Sequence, residues 1–278
     1  MSGQQELAVF DCHHHYGTLV LSAGKRAAQL EAAREDEVEY SRRIGWMDNA
    51  GIDAGIIMPV NRYLRPHGVP DTQRVNDEVA KYRDEHRERF PIAVGITEPV
   101  YGEDGLAEIA RLDEELGMLG VSYHTRWQGV ATDDPWVIRG IAEMEPRRML
   151  PFIHSYVDSA LESPATVTVL AERFPDLPFI VTDALSGHTQ QVQYLQIAKR
   201  LPNLHFDTSC VYNIGVIRAW VGEVGAERLV FGSDTYSAHM VTMNHPALIR
   251  SCGISAADAQ LILRDNLLRL LSWTGREF

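Results

Sequence analysis

Eight short runs rich in β-branched and aromatic residues alternate along this chain with longer stretches of helical periodicity. The runs are Ala8–His13, Ala54–Val60, Pro91–Ile96, Gly120–His124, Leu150–His154, Pro178–Asp183, Leu204–Asp207 and Arg228–Gly232. Helical patterns occupy Lys25–Ala50, Asp71–His86, Ala107–Leu116, Asp134–Met144, Ser163–Phe174, Gln190–Leu201 and Ile214–Val224. Two more follow the last run, near His245–Ser251 and Ser255–Trp273. Strands joined through helix-length crossovers pair in parallel. Eight such units favour closure into a (β/α)8 barrel over an open, doubly wound α/β sheet. The 278 residues suit one barrel of about 250 residues. Residues 1–278 are therefore read as a single barrel domain with C-terminal helices. No G-x-G-x-x-G or G-x-x-x-x-G-K-[ST] follows a strand, so dinucleotide and P-loop readings have no support.

Charge narrows the partners. A formal charge of −12 argues against nucleic acid or an anionic membrane as the main partner. It leaves room for an anionic small molecule, because a local arginine overrides the average. Three widely spaced cysteines, Cys12, Cys210 and Cys252, fit a reducing compartment better than a disulfide framework. The first residues have no signal-peptide pattern, and no run of about 18 apolar residues occurs. The expectation is a cytoplasmic, soluble protein.

In a barrel of this kind the chemistry lies at the C-terminal strand ends. Asp11-Cys12-His13-His14-His15 ends the first strand. Alternation along a strand sends His13 and His15 one way and His14 the other. His124 ends strand 4, His154 strand 5 and Asp183 strand 6, and Asp234 follows strand 8. Alone, His154 could be a structural histidine and Asp234 a turn former. Together, His13, His15, His154 and Asp234 match the three imidazoles and one carboxylate of a zinc site that also admits water.

These residues also carry a family resemblance over nearly the whole chain. Asp11-x-His13-x-His15, Val121-Ser122-Tyr123-His124, Pro151-Phe152-Ile153-His154, Phe174-Pro175-Asp176-Leu177, Arg228–Asp234 and Ile262–Leu270 resemble the amidohydrolase superfamily of metal-dependent barrels. The likeness is to the branch of aminocarboxymuconate-semialdehyde decarboxylase and related aromatic-acid decarboxylases and hydrolases. It implies one divalent ion, zinc first, with manganese or iron as alternatives. Two positions depart from the pattern. Ser122 stands where binuclear relatives carry a bridging lysine, which implies one metal. Asp183 stands where relatives carry a strand 6 histidine; His188, nearby, is read as a surface residue.

The leading expectation is a metal-dependent hydrolase of a lactone or amide, in which the resemblance implies Asp234 as catalytic proton carrier and Asp183, though a departure from the family pattern, could share that role. The alternative is a non-oxidative decarboxylase or hydratase of an aromatic or muconate-type acid at the same site. A third reading is a ligand-binding barrel without activity. His124, Arg126, Trp127, Arg62 and Arg65, in loops expected to face the mouth, are the candidate substrate-binding residues. Arginine suits carboxylate recognition, so the expected substrate is a small anion. The segment Lys25–Ala50 could form a dimer contact or serve as the barrel's own first helix.

Overall fold

The computed structural model describes residues 8–17, 37–156, 159–237 and 246–277. Eight parallel strands appear in order: β1 (Phe10–Tyr16), β2 (Ala54–Pro59), β3 (Ile92–Ala93), β4 (Gly120–Tyr123), β5 (Leu150–His154), β6 (Phe179–Thr182), β7 (Leu204–Asp207) and β8 (Leu229–Val230). They pair as β1-β2-β3 and β4-β5-β6-β7-β8. Parallel bridges at Gly95–Val121 and His14–Thr235 join the two sets at both edges. Cys12 N–H donates to Phe231 O at 2.9 Å and His15 N–H to Thr235 O at 2.7 Å. The ring therefore closes, and the fold is the expected (β/α)8 barrel.

Period-2 alternation sorts the strand residues into two layers. Phe10, Ile56, Ile92, Leu150, Phe152, Ile180 and Val230 fill the barrel with Leu267, Leu270 and Leu271 of the last helix. Ile57, Ala93, Val121, Ile153, Val181 and Phe206 face the surrounding helices instead. Sequence alternation places Phe152 and His154 on the same side of β5. The same holds for Ile180 and Thr182 on β6.

Strand β1 runs three residues past its expected end, and its register slips by one between Asp11 and His14. That bulge has a consequence for the mouth. Phe10 and Cys12 point into the barrel, so unbroken alternation would send His14 inward. Instead His14 packs edge-on against Phe90 at 5.1 Å, in the outer layer. The extra residue turns His13 and His15 together toward the mouth.

Helix boundaries moved for identifiable reasons. The helix expected from Asp71 starts at Val69, with Pro70 in its first turn and the Asp71 carboxylate accepting from His67 N–H at 2.7 Å. Of Lys25–Ala50, the helix Glu37–Ala50 is seen, and residues 18–36 lie outside the described residues. His245 is likewise outside them; Pro246–Ser251 is helical. Ser255–Trp273 is α-helix, then a π turn at Leu261–Asp265, then α-helix to Thr274. There Ile262 C=O accepts from Phe231 N–H at 2.9 Å, on the strand 8 segment, a local demand of the kind that accompanies π bulges. Ser255 caps the first of these helices, its Oγ accepting from Asp258 N–H at 3.0 Å.

Candidate active site and metal centre

His13, His15 and Asp234 converge at the C-terminal mouth. The two Nε2 atoms are 2.9 Å apart, and they lie 3.6 and 3.3 Å from Asp234 Oδ1. All three residues are buried. A clasp holds them: Asp11 Oδ1 accepts from the N–H groups of His13 and Ser233, and Asp234 N–H donates to His13 O at 2.9 Å. Asp234 itself has φ +53°, a left-handed conformation uncommon outside glycine.

The outer nitrogens of both rings are engaged. His13 Nδ1 lies 2.7 Å from Asp207 Oδ2 and His15 Nδ1 3.0 Å from Pro59 O. Both partners accept, so both Nδ1 atoms carry hydrogen. In the neutral rings the two Nε2 lone pairs then face each other, which demands a cation between them. Burial opposes charging His13, but the hydrogen bond and charge of Asp207 hold its pKa up at about 10. Burial and the His13 charge push His15 down to about 3. Burial, and then the Asp183 charge, raise Asp234 to about 7.

The donors fit a divalent ion. Two bonds of about 2.05 Å at 90° put ligand nitrogens about 2.9 Å apart, and a tetrahedral angle about 3.3 Å. Those are the His13–His15 and His15–Asp234 separations. Asp234 Oδ1 is buried with no hydrogen-bond partner, which a metal bond would satisfy.

His154 lies on the same mouth, but its Nε2 is 3.0 Å from Asp183 Oδ2 rather than at the His13–His15 pair. Its Nδ1 is 2.9 Å from Glu162 Oε2, and Glu162 Oε1 takes His124 Nδ1 at 2.9 Å. The two imidazoles stack at 3.4 Å. Burial opposes it, yet Glu162 and Asp183 raise His154 to about 9. Burial, with the His154 charge, lowers His124 to about 3. Asp183 is held well below the usual carboxylate range, against burial, by its His154 hydrogen bond and the charge of His13.

The mouth is lined by His13, His15, Asn61, Arg62, Ser122, His124, Trp127, His154, Asp183 and Tyr236, around a free volume of about 350 Å³ partly open to solvent. Tyr236 stacks on His15 at 4.6 Å. The Arg62 guanidinium lies 4.7 Å from the Trp127 ring centroid. Arg126 lies behind, 5.2 Å from Trp127 and 5.1 Å from Tyr156. Arg65 departs from expectation. It pairs with the buried Glu98 carboxylate and donates to Trp127 O at 3.0 Å, so its charge is engaged inside the loop. His188 is exposed in the first turn of its helix and away from the mouth lining.

Sequence reasoning passed over Asp207, Glu162, Cys210 and Tyr236. Asp207 ends β7 and could have been found by the strand-end rule already applied to the other strands. Glu162 sits in the long β5 loop and carries no local signal.

A sequence profile of the amidohydrolase family matches residues 10–273. The chain belongs to the amidohydrolase family. It is an amidohydrolase-superfamily enzyme, and the superfamily likeness read from its motifs holds. No curated protein matches it in sequence. Among solved structures it is similar to 2,6-dihydroxybenzoate decarboxylase from Rhizobium, with 18% identity, TM-score 0.71, and 96% of this chain and 99% of that one covered. It is similar to 5-carboxyvanillate decarboxylase from Sphingomonas paucimobilis, with 15% identity, TM-score 0.72 and 96% and 99% coverage. A third is dihydroxybenzoic acid decarboxylase from Polaromonas sp. JS666, solved with manganese and 2-nitroresorcinol: 17% identity, TM-score 0.72, 98% of each chain. At such identities the likeness is one of fold. Among the described residues of this amidohydrolase, no helix is long and apolar enough to cross a membrane.

Proposed function

We propose that this amidohydrolase is a metal-dependent, non-oxidative decarboxylase of a small hydroxylated aromatic acid. The observation that carries the metal reading is the buried Asp234 Oδ1, which has no hydrogen-bond partner and faces two histidine Nε2 atoms at 3.6 and 3.3 Å. The decarboxylase reading, in place of hydrolysis, draws support from three solved structures of the same fold, each named as an aromatic-acid decarboxylase. The aromatic side chains Trp127 and Tyr236 at the mouth suit a ring-bearing substrate.

His13, His15 and Asp234 would hold the ion, with His154 as fourth ligand. Manganese is the favoured metal, because a similar structure holds it; zinc and iron suit the donors too. A divalent ion bound there supplies a Lewis acid that orients and polarises the substrate's oxygens. Arg62 neutralises substrate charge, and Trp127 holds its guanidinium in place. With His154 as a ligand, its Nε2 proton would pass to Asp183, the acceptor 3.0 Å away. Asp183 would be the group that hands a proton to the ring carbon as the bond to the carboxylate breaks, yielding the arene and carbon dioxide, and would take a proton from solvent for each further turnover.

The test is carbon dioxide release from metal-loaded protein across hydroxybenzoic and muconate-type acids, run beside lactone and amide hydrolysis. Release that disappears in Asp234→Ala supports the proposal. Hydrolysis without carbon dioxide release overturns it in favour of a hydrolase.

A further inference from the structure

Among the described residues that line the free volume of the mouth, Asn61 alone has a buried polar atom without a hydrogen-bond partner, its carboxamide Oδ1. The residue lies just past β2 and is 3% exposed. Its chain neighbours fix where it sits. Val60 N–H donates to Tyr16 O at 3.2 Å, and Pro59 O engages the His15 ring at Nδ1, 3.0 Å away. Arg62 follows directly, its guanidinium over the Trp127 ring. The other end of the carboxamide is engaged: Asn61 Nδ2 donates to Ser122 Oγ at 3.2 Å. Val121 and Tyr123 pack in the outer layer, so alternation turns Ser122 inward. Ser122 N–H donates to Gly95 O at 2.8 Å, which ties it to the barrel wall. A carboxamide offers donors at its nitrogen and acceptor capacity at its oxygen. With the nitrogen held by Ser122, the oxygen remains a bare acceptor, and a buried acceptor without a partner is costly.

We infer that Asn61 is a specificity-determining residue whose Oδ1 accepts a hydrogen bond from a neutral donor on the substrate, a ring hydroxyl. The inference rests on the aromatic-acid reading proposed above and deepens it, since contacts to metal and to Arg62 do not themselves call for a further hydroxyl. An amide oxygen carries no formal charge, and Arg62 brings a cation to the same mouth, which disfavours an ammonium group there. A phenolic hydroxyl supplies the donor without a charge. Trp127 and Tyr236 line the same free volume, as suits an aromatic body that carries this hydroxyl. A site that leaves its own buried polar group unpaired with the wrong ligand discriminates more strongly than an apolar pocket does. Removing or methylating the hydroxyl leaves the Asn61 oxygen unpaired again. The mouth therefore reads one substituent through one side chain, which Ser122 holds in place.

The experiment is calorimetric titration of the full-length, manganese-loaded protein with 2-hydroxybenzoate, with the dihydroxybenzoates that add a second hydroxyl at each other ring position, and with their methyl ethers at the added oxygen. All share the carboxylate and the 2-hydroxyl, so differences among them report the added group. The expected result is one dihydroxy acid that binds about tenfold or more tighter than 2-hydroxybenzoate, with the advantage gone in its methyl ether. Asn61→Leu, close to asparagine in size but without an acceptor, should bring that ratio down to about twofold or less, while manganese affinity stays within about twofold. Asn61→Asp keeps an acceptor; its charge weakens every acid, but the preference should remain. The methyl-ether comparison needs no variant and decides the matter whether or not the leucine variant folds. No dihydroxy acid favoured by the parent protein, or a preference that survives methylation or Asn61→Leu, overturns the Asn61 assignment and leaves the decarboxylase reading standing. Manganese-loaded protein that binds none of these acids overturns the aromatic-acid reading, and the assignment with it.

Discussion

Replacing Asp207 with Asn tests how the metal centre is prepared. Asp207 touches no proposed substrate. Its Oδ2 accepts from His13 Nδ1 at 2.7 Å, while its Oδ1 accepts from Asp183 N–H at 3.0 Å and lies 2.6 Å from Ser209 Oγ. An asparagine must choose. If its oxygen keeps the Asp183 and Ser209 contacts, its amide donates to His13 Nδ1. The ring hydrogen then moves to Nε2, the atom meant to bind metal. If the amide is flipped, its N–H groups meet the Asp183 N–H, donor against donor. The first arrangement keeps more hydrogen bonds and should prevail. Outer-shell partners of ligating histidines are typically worth about 10–100-fold in metal affinity, or about 1.4–2.7 kcal/mol. Asp207→Asn should weaken manganese by that factor in a chelator-competition titration, with the circular dichroism spectrum unchanged. Affinity within about threefold of the parent protein would refute the claim that Asp207 sets the His13 tautomer.

Three further outcomes follow from the structure. Gly232→Ala should lower metal affinity at least as strongly, because an added Cβ would lie 2.7 Å from Asp207 Oδ2 and 3.0 Å from His13 Cβ; the same titration checks it. Arg65→Ala should leave the substrate KM unchanged yet cost about 2–3 kcal/mol in urea unfolding, since it leaves buried Glu98 with only the Tyr63 hydroxyl as partner, whereas Arg62→Ala should raise KM. His205 is pushed down to about 3 by burial and the charges of Arg228 and Arg269. Its contribution is fully present above the unfolded value of 6.5 and is lost as pH falls toward 3, because only the unfolded chain binds the proton in that window. The loss between pH 7 and pH 5 is about 2 kcal/mol, and His205→Gln should remove that part of the pH dependence in paired urea titrations.

Much of the barrel was legible because its strands are short, β-branched and regularly spaced. The relative phase of His13 and His15 was legible too, since residues two apart share a strand face. Their absolute direction was not. It depends on a bulge between Asp11 and His14, and nothing in the sequence alternation marks where a strand gains a residue. Asp234 and Asp183 were found by the strand-end rule, and Asp207 was open to the same rule. Arg65 was misplaced for a different reason: a loop arginine's partner is decided by tertiary contact, and Glu98 comes from beyond β3. Glu162 shows the same limit, because its two histidine partners end separate strands. Cys210 was read only as one of three widely spaced thiols; its hydrogen bond to Asp234 Oδ2, 3.9 Å from its Sγ, is set by tertiary structure.

The most direct test follows the carboxyl carbon. Manganese-loaded protein would be incubated in deuterated water with 2,6-dihydroxybenzoate and related hydroxybenzoic acids carrying a ¹³C-labelled carboxyl group, and read by NMR. The expected result is label in carbon dioxide and bicarbonate, deuterium at the vacated ring carbon, and loss of both in His13→Ala and Asp234→Ala. Label retained in every acid, while the same metal-loaded protein opens lactones, would contradict it.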